Sequence, residues 1–537
     1  MVFVRHVVSV FIITLMSVVA STTVLAKECT ENPFPVSDVR AHGWGFDIEN
    51  TRHIPANIAG LNVADVPKLK LKWAFEFEGE SKVRSQPAIT SDSVYVGSPS
   101  GTLYALNKDN GCVRWTFDTT WEIRTAISVG KNKKTGKDMI YFGDFRANAY
   151  GLDGETGKVI WEQRVDEHVA ATITGAPKLH NGVLYVPVSS FEVALPVVPV
   201  YPCCTFRGAV VALDASNGKV LWKTPVMEEP TKRGTTSLFI NQYGPSGAPV
   251  WNSPTIDVKR NTLYVGTGEN YSSPASNSSD SVIAMDLDTG KIKWIRQLIP
   301  NDAWNMSCAM PVASVNCPKE KGKDLDVGAS PILVLAKDGK DIILVGQKSA
   351  DVWGLSPDTG EVLWNNKAGK GGALGGVHWG MTFDGEKLYV PISDYVLDIP
   401  GLNPVDSDTT KPKEPNLSAI DINTGKMVWR VDMEPICDKR EECSPGLSAA
   451  ITSIPGVVFS GSLDGHLRAF STEDGKILWD VDTTVPVTAT NGDEAHGGSI
   501  DADGPVIVDG QLYINSGYGF FGELSGNLLM VYSVDGK

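Results

Sequence analysis

Apolar and polar positions along the chain follow one recurring plan. Seven eleven-residue segments share it: Ala105–Trp115, Gly151–Trp161, Ala212–Trp222, Ala284–Trp294, Gly354–Trp364, Ala419–Trp429 and Ala469–Trp479. Each reads small-apolar-x-x-x-x-Gly-x-x-x-Trp, with ALDASNGKVLW and AMDLDTGKIKW as typical members. The apolar half predicts a strand that ends at the Asp. The polar middle predicts a tight turn whose Gly takes a positive φ. The second half predicts a returning strand that delivers a large, flat indole. One such hairpin cannot bury its faces alone, so the units are expected to stack, with each Trp packed between neighbours.

An eighth Trp, Trp73 in LKLKWAF, lacks the preceding half-unit, and VYSVDGK at 531–537 supplies it from the other end of the chain. This split unit predicts a closed ring and argues against an open solenoid. The expected fold is all-β: an eight-bladed β-propeller with Trp-docking repeats, in which N- and C-terminal strands share one blade. The repeat spacing leaves room for four strands per blade. The longer blades between Trp161 and Trp429 carry inserted loops, where binding and catalytic groups usually sit.

Composition narrows the functional classes. The 53 Gly and 14 Trp suit short strands and turns. A net charge of −15 argues against nucleic acid as a partner. Arg5 and His6 precede an apolar run from Val7 to Ala20, and Val24-Leu25-Ala26 follows. These features predict a secretory signal over 1–26, cleaved near Ala26, and one propeller domain over 27–537. No later stretch is long and apolar enough for a membrane span, so a periplasmic or secreted protein is expected. Eight Cys fit an oxidising compartment. Closeness in sequence favours Cys308 with Cys317 and Cys437 with Cys443, and Cys29 with Cys112 is a remaining pairing. No Cys-x-x-Cys-His run is present to attach a c-type haem, and no Cys/His spacing resembles a zinc site.

The Trp-docking repeat, over roughly residues 40–537, resembles the quinoprotein alcohol dehydrogenases that use pyrroloquinoline quinone (PQQ). HGWGFDIENTR (42–52), SFEVALPVVPVYPCCTFRG and GQKSADVWGL look most like the polyvinyl alcohol dehydrogenase branch. The resemblance implies PQQ and Ca²⁺ as cofactors and an alcohol as substrate, secondary alcohols such as polyvinyl alcohol among the candidates. That branch often carries a fused cytochrome c segment; this sequence shows none, so a separate cytochrome c is expected as electron acceptor. Non-enzymatic relatives use the same repeat, so the rival reading is a propeller scaffold that binds protein partners.

The resemblance also implies site residues. Glu192, followed by Arg207-Gly208, matches a Ca²⁺-binding Glu. VGTGENYS (265–272) matches a loop whose Asn binds the metal, which leaves Glu269 or Asn270 to supply oxygen. Trp251 matches the indole beneath the quinone. Thr172 and Thr174 match a carboxylate-binding segment. Arg124 and Lys348 match cationic contacts to the quinone oxygens. His378 and Trp379 stand where relatives have Asn-Trp. Cys203 and Cys204 are expected to form a vicinal disulfide covering the cofactor from the loop after Glu192. The family's base motif is Asp-x-Trp-Asp, but this chain has Asp302-Ala303-Trp304-Asn305. Asn305 can offer an amide oxygen to a metal but cannot accept a proton as a carboxylate does. The base is therefore Asp302, or another acid such as Glu269, or the protein is catalytically silent. Ser307 stands where lanthanide-using relatives add an Asp, which favours Ca²⁺.

Overall fold

The computed structural model describes residues 28–29, 38–310, 315–335, 339–395, 413–434, 436–437, 443–492 and 494–537. The expected signal segment lies outside them. Eight antiparallel sheets form the blades, six of four strands and two with a fifth. A representative blade comprises Thr255–Asp257, Thr262–Gly266, Ser281–Asp286 and Ile292–Gln297. Its first three strands are buried almost throughout, and only the outermost alternates towards solvent. Inner strands are near-continuous apolar runs because a neighbouring blade covers each face.

The repeat maps onto the two outer strands. Ala284 pairs with Trp294, Ala212 with Trp222 and Ala105 with Trp115. Each indole then crosses to the next blade. Trp161 donates its Nε1–H to Ala215 O at 2.9 Å, and its ring rests on Gly218. Gly218 has φ +73°, and a Cβ there would lie 2.6 Å from the Trp161 ring. One glycine thus meets two demands, a left-handed turn and a bare floor for the preceding blade's indole. The same seat recurs from Trp73 on Gly111 to Trp429 on Gly475.

Ring closure follows the split repeat. Leu69–Glu76 pairs with Leu528–Val534, and Gln511–Ser516 and Val506–Val508 complete that blade. Trp479 donates to Leu69 O at 3.2 Å, and Trp73 donates to Lys108 O at 3.1 Å. The chain of indole contacts therefore returns to its starting blade.

Residues 42–54 run along the axis of the ring. Their partners belong to the innermost strands of opposing blades: Gly43 N to Ile127 O at 2.7 Å, Phe383 N to Thr51 O at 2.9 Å and Ile54 N to Ser453 O at 2.8 Å. The Asn50 amide donates to Ser253 O and Pro254 O at 3.2 and 3.1 Å. The buried Arg52 guanidinium donates to Ile451 O at 2.8 Å and Gln86 Oε1 at 2.8 Å. The vicinal Cys203–Cys204 and the local Cys308–Cys317 and Cys437–Cys443 disulfides form as expected, and Cys29–Cys112 is the pairing that remained. Among the described residues no helix is long and apolar enough to cross a membrane.

Candidate active site

Loops from the inner ends of nearly every blade enclose a cavity of about 460 Å³. Contributions from so many blades place it on the ring axis. Trp251 and Trp379 form its base, edge to face at 5.1 Å, with Trp44 of the axial segment packed below Trp379 at 6.4 Å. Trp251 is locked by its Nε1–H, which donates to Asp326 Oδ2 at 3.0 Å. Gly328 makes room for it: a Cβ there would lie 2.1 Å from the indole.

Three buried or half-buried carboxylates, Glu269, Asp324 and Asp326, converge at one side of this base, with one oxygen of each within 4.8 Å of the others. Lys348 Nζ lies 2.7 Å from Asp324 Oδ1 and 3.0 Å from Asp326 Oδ2, and 5.4 Å over the Trp251 ring. Burial pushes the Glu269 carboxyl well up, with the charges of Asp326 and Asp324 adding to it. Burial likewise raises Asp324 well above the usual range, against the pull of Lys348. Asp326 goes the other way: burial opposes ionisation, but Lys348 and the hydrogen bonds of Glu269 outweigh it and hold the carboxyl down. Burial works against the Lys348 ammonium too, yet Asp324, Asp326 and Glu269 keep its pKa above the ordinary value. Fully ionised, the three carboxylates and the ammonium carry a net charge of −2, which a divalent cation would balance and which, without one, the raised Glu269 and Asp324 carboxyls relieve by holding protons. Oxygen-only donors suit a hard ion such as Ca²⁺.

The opposite side is rich in donors. Arg84 is engaged, giving Nε–H to Glu122 Oε1 at 2.6 Å and Nη1–H to Tyr518 Oη at 2.7 Å. Arg124 lies over Trp379 at 5.5 Å, and its guanidinium donates to no described residue. Burial, then the neighbouring Arg84, lowers its pKa to about 10, still fully charged at neutral pH. The buried Trp379 Nε1 also lacks a partner. His378 joins Ser448 Oγ through Nδ1 at 2.8 Å, and burial followed by Lys348 pushes it down to about 3, so the imidazole is neutral. A half-buried guanidinium without a hydrogen-bond acceptor and an orphaned buried indole N–H together suit an anion.

Seven of the residues singled out in the sequence line this cavity: Arg124, Thr174, Trp251, Glu269, Lys348, His378 and Trp379. The others lie around it. Glu192 is fully buried, and its oxygens accept from Tyr201 Oη at 2.8 Å, Thr205 N at 2.9 Å and Phe206 N at 2.8 Å. It clamps the loop that carries Cys203–Cys204, and that disulfide packs behind Tyr271 rather than against the cavity. Arg207 donates to Met227 O at 3.4 Å. Thr172 is buried beside Thr174, with the hydroxyls 3.4 Å apart. Asn270 bonds Ser246 O and Ser276 N. Asn305 caps the turn Met306–Ala309 and donates to Tyr271 O and Asn316 O. Asp302 spends both oxygens on backbone amides, accepting from Lys323 N at 2.9 Å and Leu325 N at 2.8 Å. It shapes the loop that delivers Asp324 and does not reach the cavity.

Asp324, Asp326, Arg84, Tyr271 and Tyr518 line the cavity without having been singled out. The signal for the first two was the alternation Asp324-Leu325-Asp326 just ahead of the run Val327–Leu335, which places two carboxylates together where the chain enters a strand.

Fold and cavity together define a propeller enzyme able to hold a flat polyanion on an indole floor beside a divalent cation. Comparison with known proteins agrees. Residues 42–367 match the family described as glucose/ethanol/alcohol dehydrogenase, beta-propeller domain, and residues 413–536 match that of the outer membrane protein assembly factor BamB. A polyvinylalcohol dehydrogenase from a Pseudomonas species is 40% identical over 92% of this chain and 77% of its own length. One from Sphingopyxis sp. (strain 113P3) is 39% identical over 97% and 80%. The solved quinohemoprotein alcohol dehydrogenase of Pseudomonas putida HK5 superposes with a TM-score of 0.69 at 18% identity, covering 93% of this chain and 81% of that one, a likeness of fold. The chain belongs to the PQQ-dependent alcohol dehydrogenase family. It is an oxidoreductase, with an alcohol as substrate and PQQ as the implied cofactor.

Proposed function

We propose that the chain is an exported, PQQ- and Ca²⁺-dependent dehydrogenase of secondary alcohols, polyvinyl alcohol among them, that passes electrons to a separate cytochrome c. The observation that carries this reading is the cavity itself. The Glu269–Asp324–Asp326 trio and Lys348 face an unpartnered Arg124 across the Trp251 floor. PQQ is a flat tricarboxylate, and the residues present fit it: an indole face below, a free guanidinium and the orphaned Trp379 Nε1–H for its carboxylates, and Thr174 beside them. When bound, PQQ would supply the two-electron acceptor for the alcohol.

The chain's own groups have distinct tasks. Glu269 and Asp326 would hold Ca²⁺. Asp326 is suited by its low pKa and by the Trp251 N–H that fixes it. Asp324 would take the substrate's hydroxyl proton, in place of Asp302, whose oxygens are committed to the backbone. Lys348, 2.7 Å away, orients Asp324 and steadies its anionic form. Val193, Val197, Met306 and Leu374 give the upper wall an apolar surface that sheds water and accepts a carbon chain. Export and the single domain over 27–537 draw support from the basic-then-apolar leader and the four disulfides.

Adding PQQ and CaCl2 to the purified protein, removing the excess and recording absorbance tests the reading. A retained stoichiometric quinone band, with dye reduction by secondary alcohols that is lost in Asp324→Asn, is expected. No retained band would favour the scaffold.

A further inference from the structure

Half-exposed aromatic rings form an arc beside the cavity mouth. Trp121, Phe191 and Phe520 each leave 43% of their surface open. Measured contacts join them. Phe520 meets Phe521, a wall residue of the cavity, at 4.6 Å. Lys82 lies over Phe520 at 5.2 Å and reaches Glu122, the neighbour of Trp121 in sequence, at 4.0 Å. Arg146 stacks on Trp121 at 4.7 Å. Phe145, whose N–H donates to Glu122 O at 3.0 Å, meets Phe191 edge to face at 6.1 Å. The arc therefore runs without a break past the mouth, from the closing blade to the third.

Its chemistry selects an occupant. The cations over the rings have partners: Arg84 meets Glu122 at 2.5 Å, Lys82 lies 4.0 Å from the same carboxylate, and Arg146 donates to Val169 O at 3.0 Å. What is exposed is a row of aromatic rings with hydrogen-bonding groups between them. Ring faces pack well against C–H surfaces, and committed cations give a polyanion little to grip. We infer that the arc is a track for an extended neutral polyol, a chain of alternating methylene and hydroxymethine carbons. The chain lies across the rings while one of its hydroxyls descends into the cavity. This rests on the alcohol dehydrogenase reading and adds the size and shape of the alcohol.

Affinity electrophoresis reads the track without turnover. Wild type and the double variant Trp121→Ala/Phe191→Ala are run through gels containing long polyvinyl alcohol or polyacrylate. Neutral polymer should retard wild type, polyacrylate should not, and the double variant should lose most of the retardation. In the reconstituted enzyme, the ratio of kcat/KM for polymer to kcat/KM for 2-propanol should fall about tenfold in the double variant, mainly through KM, as expected for about 1.4 kcal/mol of lost contact. Restoring a ring with Trp121→Phe should recover part of the loss. Equal retardation of both proteins, or retardation by polyacrylate alone, would overturn the inference. Retardation without turnover of either alcohol would uphold the track and sink the proposed function instead.

Discussion

Replacing Lys348 by Met keeps the side chain's length and removes its charge. In the native protein the ammonium sits 2.7 and 3.0 Å from two buried carboxylates. At an effective dielectric of about 20, a unit pair about 3 Å apart is worth about 5–6 kcal/mol. Burying the ammonium gives back several kcal/mol, so truncation should cost about 3–5 kcal/mol, as for other broken buried pairs. Ca²⁺ alters the balance. With all three carboxylates ionised around a divalent ion, the cluster without the ammonium carries −3 rather than −2, a stronger site. A ligand at about a hundredfold excess over Kd stabilises by about 2.7 kcal/mol, and one bound tenfold tighter by about 4.1 kcal/mol. Urea titrations followed by fluorescence should therefore show Lys348→Met far less stable than wild type in EDTA, with the gap narrowed by more than 1 kcal/mol in excess CaCl2, roughly the difference between those two figures. An identical gap in both buffers would refute the assignment of the cation to Glu269, Asp324 and Asp326.

Other expectations follow from single contacts. Gly218 and Gly136 have nearly the same φ, +73° and +71°, but only Gly218 carries an indole, while nothing lies within 4 Å of a Cβ at Gly136. Gly136→Ala should cost about 1 kcal/mol for the left-handed backbone alone, and Gly218→Ala about 2 kcal/mol more for displacing Trp161. Equal losses by chemical denaturation would contradict the docking role of the repeat. Asp324→Asn should abolish alcohol-dependent dye reduction while leaving the quinone band. Asp302→Asn should retain measurable turnover, and full loss there would return the base to Asp302. Asp503 is pushed up to about 8 by burial, from an ordinary 3.8. Its folded pKa exceeds its unfolded one, so its contribution is complete below about pH 4 and is lost as pH rises towards 8. Asp503→Asn should flatten that decline by a few kcal/mol, in the range set by about 1.4 kcal/mol per pKa unit. Its new amide can also serve the orphaned Asn515 Oδ1. An unchanged pH slope in urea titrations would count against this account.

The architecture was readable because the repeat is local and frequent. Small residue, turn glycine and Trp all lie within eleven positions, and each has one geometric reason to be there. Ring closure was readable for the same reason, since a missing half-unit at one end matched a spare one at the other. The cavity was half readable. Trp251, Lys348, Glu269, Arg124 and Trp379 sit at blade ends, where the fold fixes their direction. Glu192 and Asp302 do not line the cavity, because long-range partners hold their oxygens. The inserted loop of residues 194–206 folds back onto Glu192, and the amides of Lys323 and Leu325 close onto Asp302. Local spacing cannot report such captures. Asp324 and Asp326 escaped notice because they lie well past Trp304 in sequence, beyond the excursion tied by Cys308–Cys317, and only the fold brings them to Glu269.

The segment 42–54 gives the ring a direction. With Trp44 and Arg52 seated under the aromatic floor, the axis is stopped at that end, and the cavity communicates with solvent through its loop-lined mouth. Alcohol arriving and carbonyl product departing must then share one doorway. They can use it only in turn. A polymer lying across the threshold would hold that doorway, so release of the chain would pace the cycle when polymer is abundant.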